Sequence, residues 1–114
     1  MSANVTTRQA GDVSVVDVSG RLTLGEGSSV LQDQMRSLIS GGHKKILLNM
    51  KDVTYIDSSG IGELVAAYTS ASSHGGNVKL LGLTNKVKDL LQITKLYTVF
   101  EVHEDEAHAV RSFS

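Results

Sequence analysis

The chain has 114 residues, a formal net charge of −1 and no cysteine, with 40% hydrophobic and 20% charged residues. This balance predicts one folded domain, residues 1–114, that needs neither a disulfide nor a metal ion to fold. Nucleic-acid binding is disfavoured because the basic residues form no concentrated patch. The first ten residues lack the apolar core of a signal peptide, and no apolar run approaches the roughly 20 residues that span a membrane. We therefore expect a cytoplasmic protein with no membrane insertion.

The apolar residues change period along the chain, which separates strands from helices. Glycine pairs such as Gly41-Gly42 and Gly75-Gly76 punctuate the pattern, and proline is absent. The first predicted elements are a strand over 13–20, a short further strand over 21–24, a break at 25–27, and a helix that is capped by Ser28 or Ser29 and ends at 41–42. A buried strand over 46–50, a helix that ends at 75–76 and a second buried strand over 78–81 follow. The last predicted elements are a helix through Val87, Leu90 and Leu91 that can include Leu96, a strand over 98–102, and a helix that begins at 104–106.

This alternation of strands and helices predicts an α/β fold. We expect a central, mostly parallel β-sheet of four to five strands with about four helices. Negative charge at residues 104–106 is favourable at the start of a helix, because the macrodipole places partial positive charge there.

The segment 49–64 links a buried strand to an amphipathic helix, so Asp57-Ser58-Ser59-Gly60 should lie at the helix N-terminus. Two interpretations are open from the residues alone. Asp and Ser commonly cap helices, and spacing by itself favours this purely structural role. Alternatively, a serine on this surface can be covered by a partner, and a phosphate there adds about −1.5 to −2 charges to the interface. Gly60 and Gly62 would let another molecule approach the backbone.

Residues 55–62, Tyr-Ile-Asp-Ser-Ser-Gly-Ile-Gly, resemble the signature turn of the STAS domain, specifically that of bacterial anti-sigma factor antagonists. The resemblance extends over nearly the whole chain. Residues 15–22 look like the early strand pair of that family, residues 77–83 like a later strand, and residues 84–96 like its "x-x-Val-x-x-Leu-(Leu/Phe)-x-(Ile/Met)-(Ser/Thr)-x-Leu" helix. We therefore expect a single STAS domain.

The resemblance implies that Ser58 is phosphorylated by an anti-sigma factor that has a histidine-kinase-like ATPase fold. The unphosphorylated protein would bind this anti-sigma factor, free the sigma factor and so regulate transcription; the phosphorylated protein would be released. A PP2C-like phosphatase would reset it. Ser59 is the alternative acceptor. The expected partner-binding residues are Asp57, Ser59, Gly60, Ile61, Gly62 and Thr23.

Thr23 marks a departure from the pattern. Many members of the family carry an acidic residue at this position, close to the phosphorylated serine, whereas this sequence has Thr23 there and Glu26 three residues later. This difference affects how the serine would be presented to a kinase.

No catalytic constellation is recognisable, so we expect a binding protein rather than an enzyme. The sequence lacks a Gly-x-Ser-x-Gly elbow. No two histidines are spaced at i, i+4, which argues against a metal site, and no cofactor is expected. Glu63 flanks the candidate site and is expected to serve the helix dipole or a contact. The histidines are His43, His74, His103 and His108.

Other functions stay open. STAS domains also occur as constitutive subunits of transporter or scaffold complexes, in which the serine need not be phosphorylated. Nucleotide binding at the same helix start is weaker, because the sequence has no phosphate-gripping lysine of the Walker type. We expect a monomer when the protein is free.

Overall fold

The computed structural model describes residues 3–23 and 26–113, with side chains in the second range from residue 29. It contains one five-stranded sheet whose order follows the chain, β1-β2-β3-β4-β5. β1 pairs antiparallel with β2, and the other neighbours pair parallel. The strands are β1 Asn4–Ala10, β2 Val13–Leu22, β3 Lys45–Ile56, β4 Asn77–Leu81 and β5 Val102–His103.

Within residues 3–23 and 26–113, four α-helices connect or follow these strands, which confirms the predicted α/β class. A 3₁₀ turn, Leu96–Thr98, lies between α3 and β5. The helices are α1 Glu26–Ser40, α2 Ser58–Ser73, α3 Asn85–Ile93 and α4 Glu106–Arg111.

Alternate residues of the strands face opposite sides of the sheet. On one side, which we call the three-helix face, Ile46 and Leu48 of β3 join a large apolar cluster with residues of α1, α2 and α3, such as Leu31, Leu64 and Leu91. On the other side, the α4 face, the apolar cluster is smaller: Val13, Val15, Leu47, Leu81 and Ala109, with Ala10, Val110 and Phe113 packed against it.

The first 22 residues differ from the sequence prediction. β1 was missed, because its half-buried residues alternate with exposed polar ones and offer little apolar signal. Residues 15–22 are therefore not a strand pair but part of β2, which pairs with β1 across a turn at Gly11 with φ +65°. The short further strand over 21–24 is wrong as a separate element, since Arg21 and Leu22 continue β2 and Leu24 lies outside the described residues.

The start of α1 also differs. This helix begins at Glu26, so Ser28 and Ser29 lie inside it and do not cap it, and residues 26–27 are helical where a break was predicted. Gly25 lies outside the described residues.

Further along, β3 runs six residues beyond the predicted run of 46–50, as far as Ile56. The strand predicted over 98–102 is shorter and later, at Val102–His103, because Leu96–Thr98 forms the 3₁₀ turn. The last helix begins as predicted, and Asp105 caps it by accepting a hydrogen bond from the His108 N–H at 2.9 Å.

Candidate functional site

The candidate site lies where β3 ends and α2 begins. Ile56 pairs with Leu22 of β2, and the Asp57 N–H donates to the Leu22 carbonyl oxygen at 3.2 Å. Asp57 keeps an extended backbone and its Oδ1 accepts the Gly60 N–H at 3.0 Å, which satisfies one of the unpaired N–H groups of the first turn. Asp57 is thus the N-cap of α2, and the turn is fixed by β2 as well as by its own cap.

Because Asp57 is the N-cap, the two serines that follow it occupy the first two positions of α2. Ser58 is the first residue of α2 and is exposed, whereas Ser59 is only half-exposed. Ser58 is therefore more exposed to solvent than its neighbour.

The two glycines of the turn have different surroundings. Gly60 is buried, and a Cβ built on it would lie 2.3 Å from the Leu22 carbonyl oxygen and 2.5 Å from Ile56 Cγ1. A Cβ on Gly62, which is exposed, would meet nothing within 4 Å. The missing side chain of Gly60 admits the chain's own strand β2 rather than another molecule, while Gly62 leaves open space for one.

Other predicted site residues surround this turn. Ile61 is buried, with 8% of its surface exposed, so it belongs to the core beneath the turn. Thr23 follows β2 directly and is half-exposed. Because Leu22 is level with Ile56 in the sheet, Thr23 and Asp57 emerge side by side at the same edge. For Glu26 the structure describes the helical backbone only.

A groove of about 480 Å³ opens beside Ser58, between the end of β3 and helix α3. It was missed in the sequence because its far wall comes from a helix almost 30 residues later, and only tertiary packing brings the two together. Its lining residues are Tyr55, Ile56, Asp57, Ser58, Lys86, Asp89, Leu90 and Ile93.

Two cations lie over the aromatic ring of this groove. The Arg21 guanidinium carbon is 4.7 Å from the centroid of the Tyr55 ring, and the Lys86 Nζ is 5.1 Å from it. Such contacts attract a cation to the negative face of the ring. They hold Tyr55 in place beside the helix start.

A second groove, of about 560 Å³, lies between α1 and α2. Glu63 lines this groove, so it does not accompany Ser58 on the first one. Its other walls include Met35, Ile39 and Ala66.

The histidines make local contacts. His43 Nδ1 lies 3.2 Å from Ser14 Oγ, and His74 Nδ1 lies 2.8 Å from the Ser70 carbonyl oxygen. His103 contacts Glu101 through Nε2. Within residues 3–23 and 26–113, no group of three or more metal-ligating side chains comes together. No helix in that part of the chain is long and apolar enough to cross a membrane.

A sequence model of the STAS domain family matches residues 4–109, which is most of the chain and includes every element of the sheet. The chain belongs to the STAS domain family. This confirms the resemblance found in the signature turn at residues 55–62.

Curated relatives of this STAS domain are antagonists of anti-sigma factors. The anti-sigma-B factor antagonist of Bacillus subtilis is 28% identical over 102 residues, which cover 90% of this chain and 92% of the relative. The anti-sigma F factor antagonist of Paenibacillus polymyxa is 24% identical over 98 residues, covering 86% of this chain and 84% of the relative. Both are matched over nearly their full length.

Solved structures share the fold. An anti-sigma factor antagonist from Mycobacterium paratuberculosis superposes with a TM-score of 0.87 at 18% identity, covering 98% of this chain and 94% of the other. The Bacillus cell fate determinant SpoIIAA in its phosphorylated form gives a TM-score of 0.78 at 17% identity, covering 97% and 100%. At these identities the structures establish the fold of the STAS domain.

Proposed function

We propose that this STAS domain is an anti-sigma factor antagonist whose binding is controlled by phosphorylation of Ser58. The observation that carries the proposal is the placement of Ser58: it is exposed, it opens α2, and Asp57 rather than Ser58 provides the cap. Its hydroxyl is therefore available to a kinase. The relatives, matched over most of this chain, bear the name of this function.

The chemistry is a phosphoryl transfer by the partner. The Ser58 Oγ attacks the γ-phosphorus of ATP, an Oγ–P bond forms, the bond from the γ-phosphorus to the bridging oxygen breaks, and ADP and the hydroxyl proton leave. The partner is an anti-sigma factor with a histidine-kinase-like ATPase fold. A PP2C-like phosphatase restores the hydroxyl by hydrolysis and releases inorganic phosphate. The antagonist itself binds and is not an enzyme; it acts in the cytoplasm as a monomer when free.

The phosphate changes the affinity because it is strongly hydrated. It adds about −1.5 to −2 charges next to the Asp57 carboxylate, and an interface that covers it must remove its water. A change from almost fully bound to almost fully free requires about 5.5 kcal/mol of differential affinity. The exposed residues around Ser58, Gly62 among them, and half-exposed Thr23 would form the contact, whereas Gly60 and Ile61 support it from below.

The test uses purified anti-sigma factors of the source organism that carry a kinase domain. We expect wild type and Ser58→Ala to bind one of them, and Ser58→Asp to bind it at least about tenfold more weakly, measured by isothermal titration calorimetry. Ser59→Ala is the matched control and should be phosphorylated normally. Equal affinity of Ser58→Ala and Ser58→Asp would contradict the proposal.

Mass spectrometry of the tryptic peptide 52–79 locates the phosphate after incubation with the kinase and ATP. Phosphate on Ser58 is expected. Phosphate on Ser59 would move the acceptor by one residue, and an unmodified peptide in every condition would favour a constitutive STAS subunit of a transporter or scaffold complex.

A further inference from the structure

Lys86 shares the groove beside α2 with the proposed phosphate acceptor. Among the described residues that line this groove together with Ser58, Lys86 alone carries a positive charge, whereas Asp57 and Asp89 carry negative charge. Lys86 is the second residue of α3 and is exposed. The lining of the groove is therefore negative overall before any modification, with one cation in it.

The sheet brings Lys86 and Ser58 to the same edge. β3 and β4 are parallel neighbours, α2 follows β3 and α3 follows β4, so both helices begin beyond the carboxyl ends of these strands. Thr84 caps α3 by accepting a hydrogen bond from the Val87 N–H, and Val87 is fully buried. The backbone of Lys86 is thus fixed by its neighbours, while its exposed side chain can turn within the groove.

The present contact of Lys86 is one that a phosphate would displace. Its Nζ lies 5.1 Å from the centroid of the Tyr55 ring, and the Arg21 guanidinium carbon lies 4.7 Å from the same centroid. In the described part of the chain Lys86 forms no ion pair, whereas Lys88 of the same helix lies 4.0 Å from Glu104. An exposed contact between a cation and a ring is weaker than a charge-assisted hydrogen bond to a phosphate, and Arg21 stays over the ring when the lysine leaves.

We infer that Lys86 pairs with the phosphate on Ser58 and keeps it doubly ionised near neutral pH, an inference that rests on the proposed function. A phosphoserine loses its second proton with a pKa of about 6. The carboxylates of Asp57 and Asp89 raise this pKa, because they disfavour the second negative charge on the phosphate. The ammonium group of Lys86 lowers it again. Without this lysine, more of the phosphate would stay singly ionised at neutral pH, and it would then repel a covering partner less.

The experiment places phosphoserine directly at position 58 during translation, so it needs no kinase, and follows the ³¹P chemical shift of the phosphate as the pH is varied. We expect the pKa of the phosphate to be higher in Lys86→Met than in the phosphoprotein that keeps Lys86, by at least about 0.5. Lys86→Arg should restore the lower value. Lys88→Met is the matched control, since it removes the same charge from the same helix outside the groove, and it should change the pKa by less than about 0.2.

An unchanged pKa in Lys86→Met would overturn the inference. So would an equal rise in Lys86→Met and Lys88→Met, since the effect would then be one of net charge alone. The binding experiments on Ser58→Ala and Ser58→Asp are independent of this titration. If the pKa rises in Lys86→Met but the two serine variants bind the anti-sigma factor equally, the pairing stands and the phosphorylation switch fails. If the pKa is unchanged while Ser58→Asp binds weakly, the switch stands and Lys86 has no part in it.

Discussion

The three-helix face of the sheet is held by a continuous apolar cluster that reaches from α1 across α2 to α3, whereas the α4 face relies on a small apolar cluster and several charged contacts. On the α4 face, Arg8 of β1 pairs with Asp17 of β2 at 2.7 Å and with Glu106 of α4 at 2.6 Å. Lys79 of β4 donates to the carbonyl oxygen and to the Oγ of Ser112, both at 2.9 Å.

The stability of the two faces should therefore respond differently to pH and salt. Apolar burial depends little on pH and salt, while exposed ion pairs weaken with salt and vanish when their carboxylates are protonated. The candidate site belongs to the three-helix face, so its geometry should survive conditions that loosen α4. The predictions below test this contrast, beginning with the largest expected effect.

Leu64→Ala should cost the most. Leu64 is fully buried in α2, and its truncation leaves a cavity in the larger cluster. We expect the free energy of unfolding to fall by about 2–5 kcal/mol in urea denaturation. The control on the α4 face is Val110→Ala, a half-buried position, which should cost about 1 kcal/mol or less. Equal losses would abolish the contrast between the faces.

Gly60→Ala should lower the free energy of unfolding by about 1–3 kcal/mol. The alanine Cβ would lie 2.3 Å from the Leu22 carbonyl oxygen, so α2 would have to shift away from β2. Gly62→Ala is the matched control in the same helical turn. It has open space and should stabilise the protein by about 0.5–1 kcal/mol, since alanine loses less backbone entropy. Similar urea midpoints for the two variants would show that the close approach at Gly60 is unimportant.

Lys79→Met should cost about 1–2 kcal/mol. The side chain is 7% exposed, and the substitution keeps its length but leaves the Ser112 carbonyl oxygen without this donor. Lys45→Met is the control, since Lys45 forms an exposed pair with Asp12 that should contribute less than about 0.5 kcal/mol. The measurement is hydrogen exchange of the α4 amides. If their protection is unchanged in Lys79→Met, the contact between Lys79 and Ser112 does not stabilise α4 on the sheet.

Arg8→Met should lower the free energy of unfolding at neutral pH by less than about 1 kcal/mol, the smallest loss among the variants tested against a control, because the pairs of Arg8 are partly exposed. Its effect is on the pH dependence. Hydrogen bonds from Arg8 hold the pKa of Asp17 below its ordinary 3.8 and that of Glu106 below its ordinary 4.5.

The sign follows from these directions. A carboxylate with a lowered pKa in the folded state stabilises the fold fully above its ordinary value, and this stabilisation is lost as the pH falls through the folded-state pKa. The melting temperature of the wild type should therefore drop more steeply below pH 4.5 than that of Arg8→Met. If the melting temperatures of the two proteins fall equally with pH in low salt, Arg8 does not have this role.

The sequence carried enough to predict the fold class and the position of the helix start at residues 57–60. The buried strands and amphipathic helices have strong apolar periodicity, and Asp57 has the chemistry of a cap. β1 escaped prediction because an edge strand with one half-buried face needs few apolar residues. The end of β3 escaped because only Val53 and Ile56 of its last six residues are buried, which leaves little apolar periodicity.

The finer points of the site depend on packing. Which serine is more exposed follows from Asp57 being the cap, and the two candidate serines are adjacent in the sequence. The burial of Gly60 follows from the nearby end of β2, and the groove follows from the placement of α3. Ile93 was not assigned to any face in the sequence, and its exposure becomes evident only when the core around Val87 and Leu91 is complete.

The agreement between strand order and chain order has a consequence for synthesis on the ribosome. Each strand that emerges finds its partner already made, so the sheet can grow by one neighbour at a time from β1 to β5 without waiting for a distant segment. The exception is α4, whose Glu106 returns to Arg8 across 98 positions of sequence. Val13, Val15 and Leu47 of the α4 face therefore stay uncovered on the nascent chain until that helix arrives.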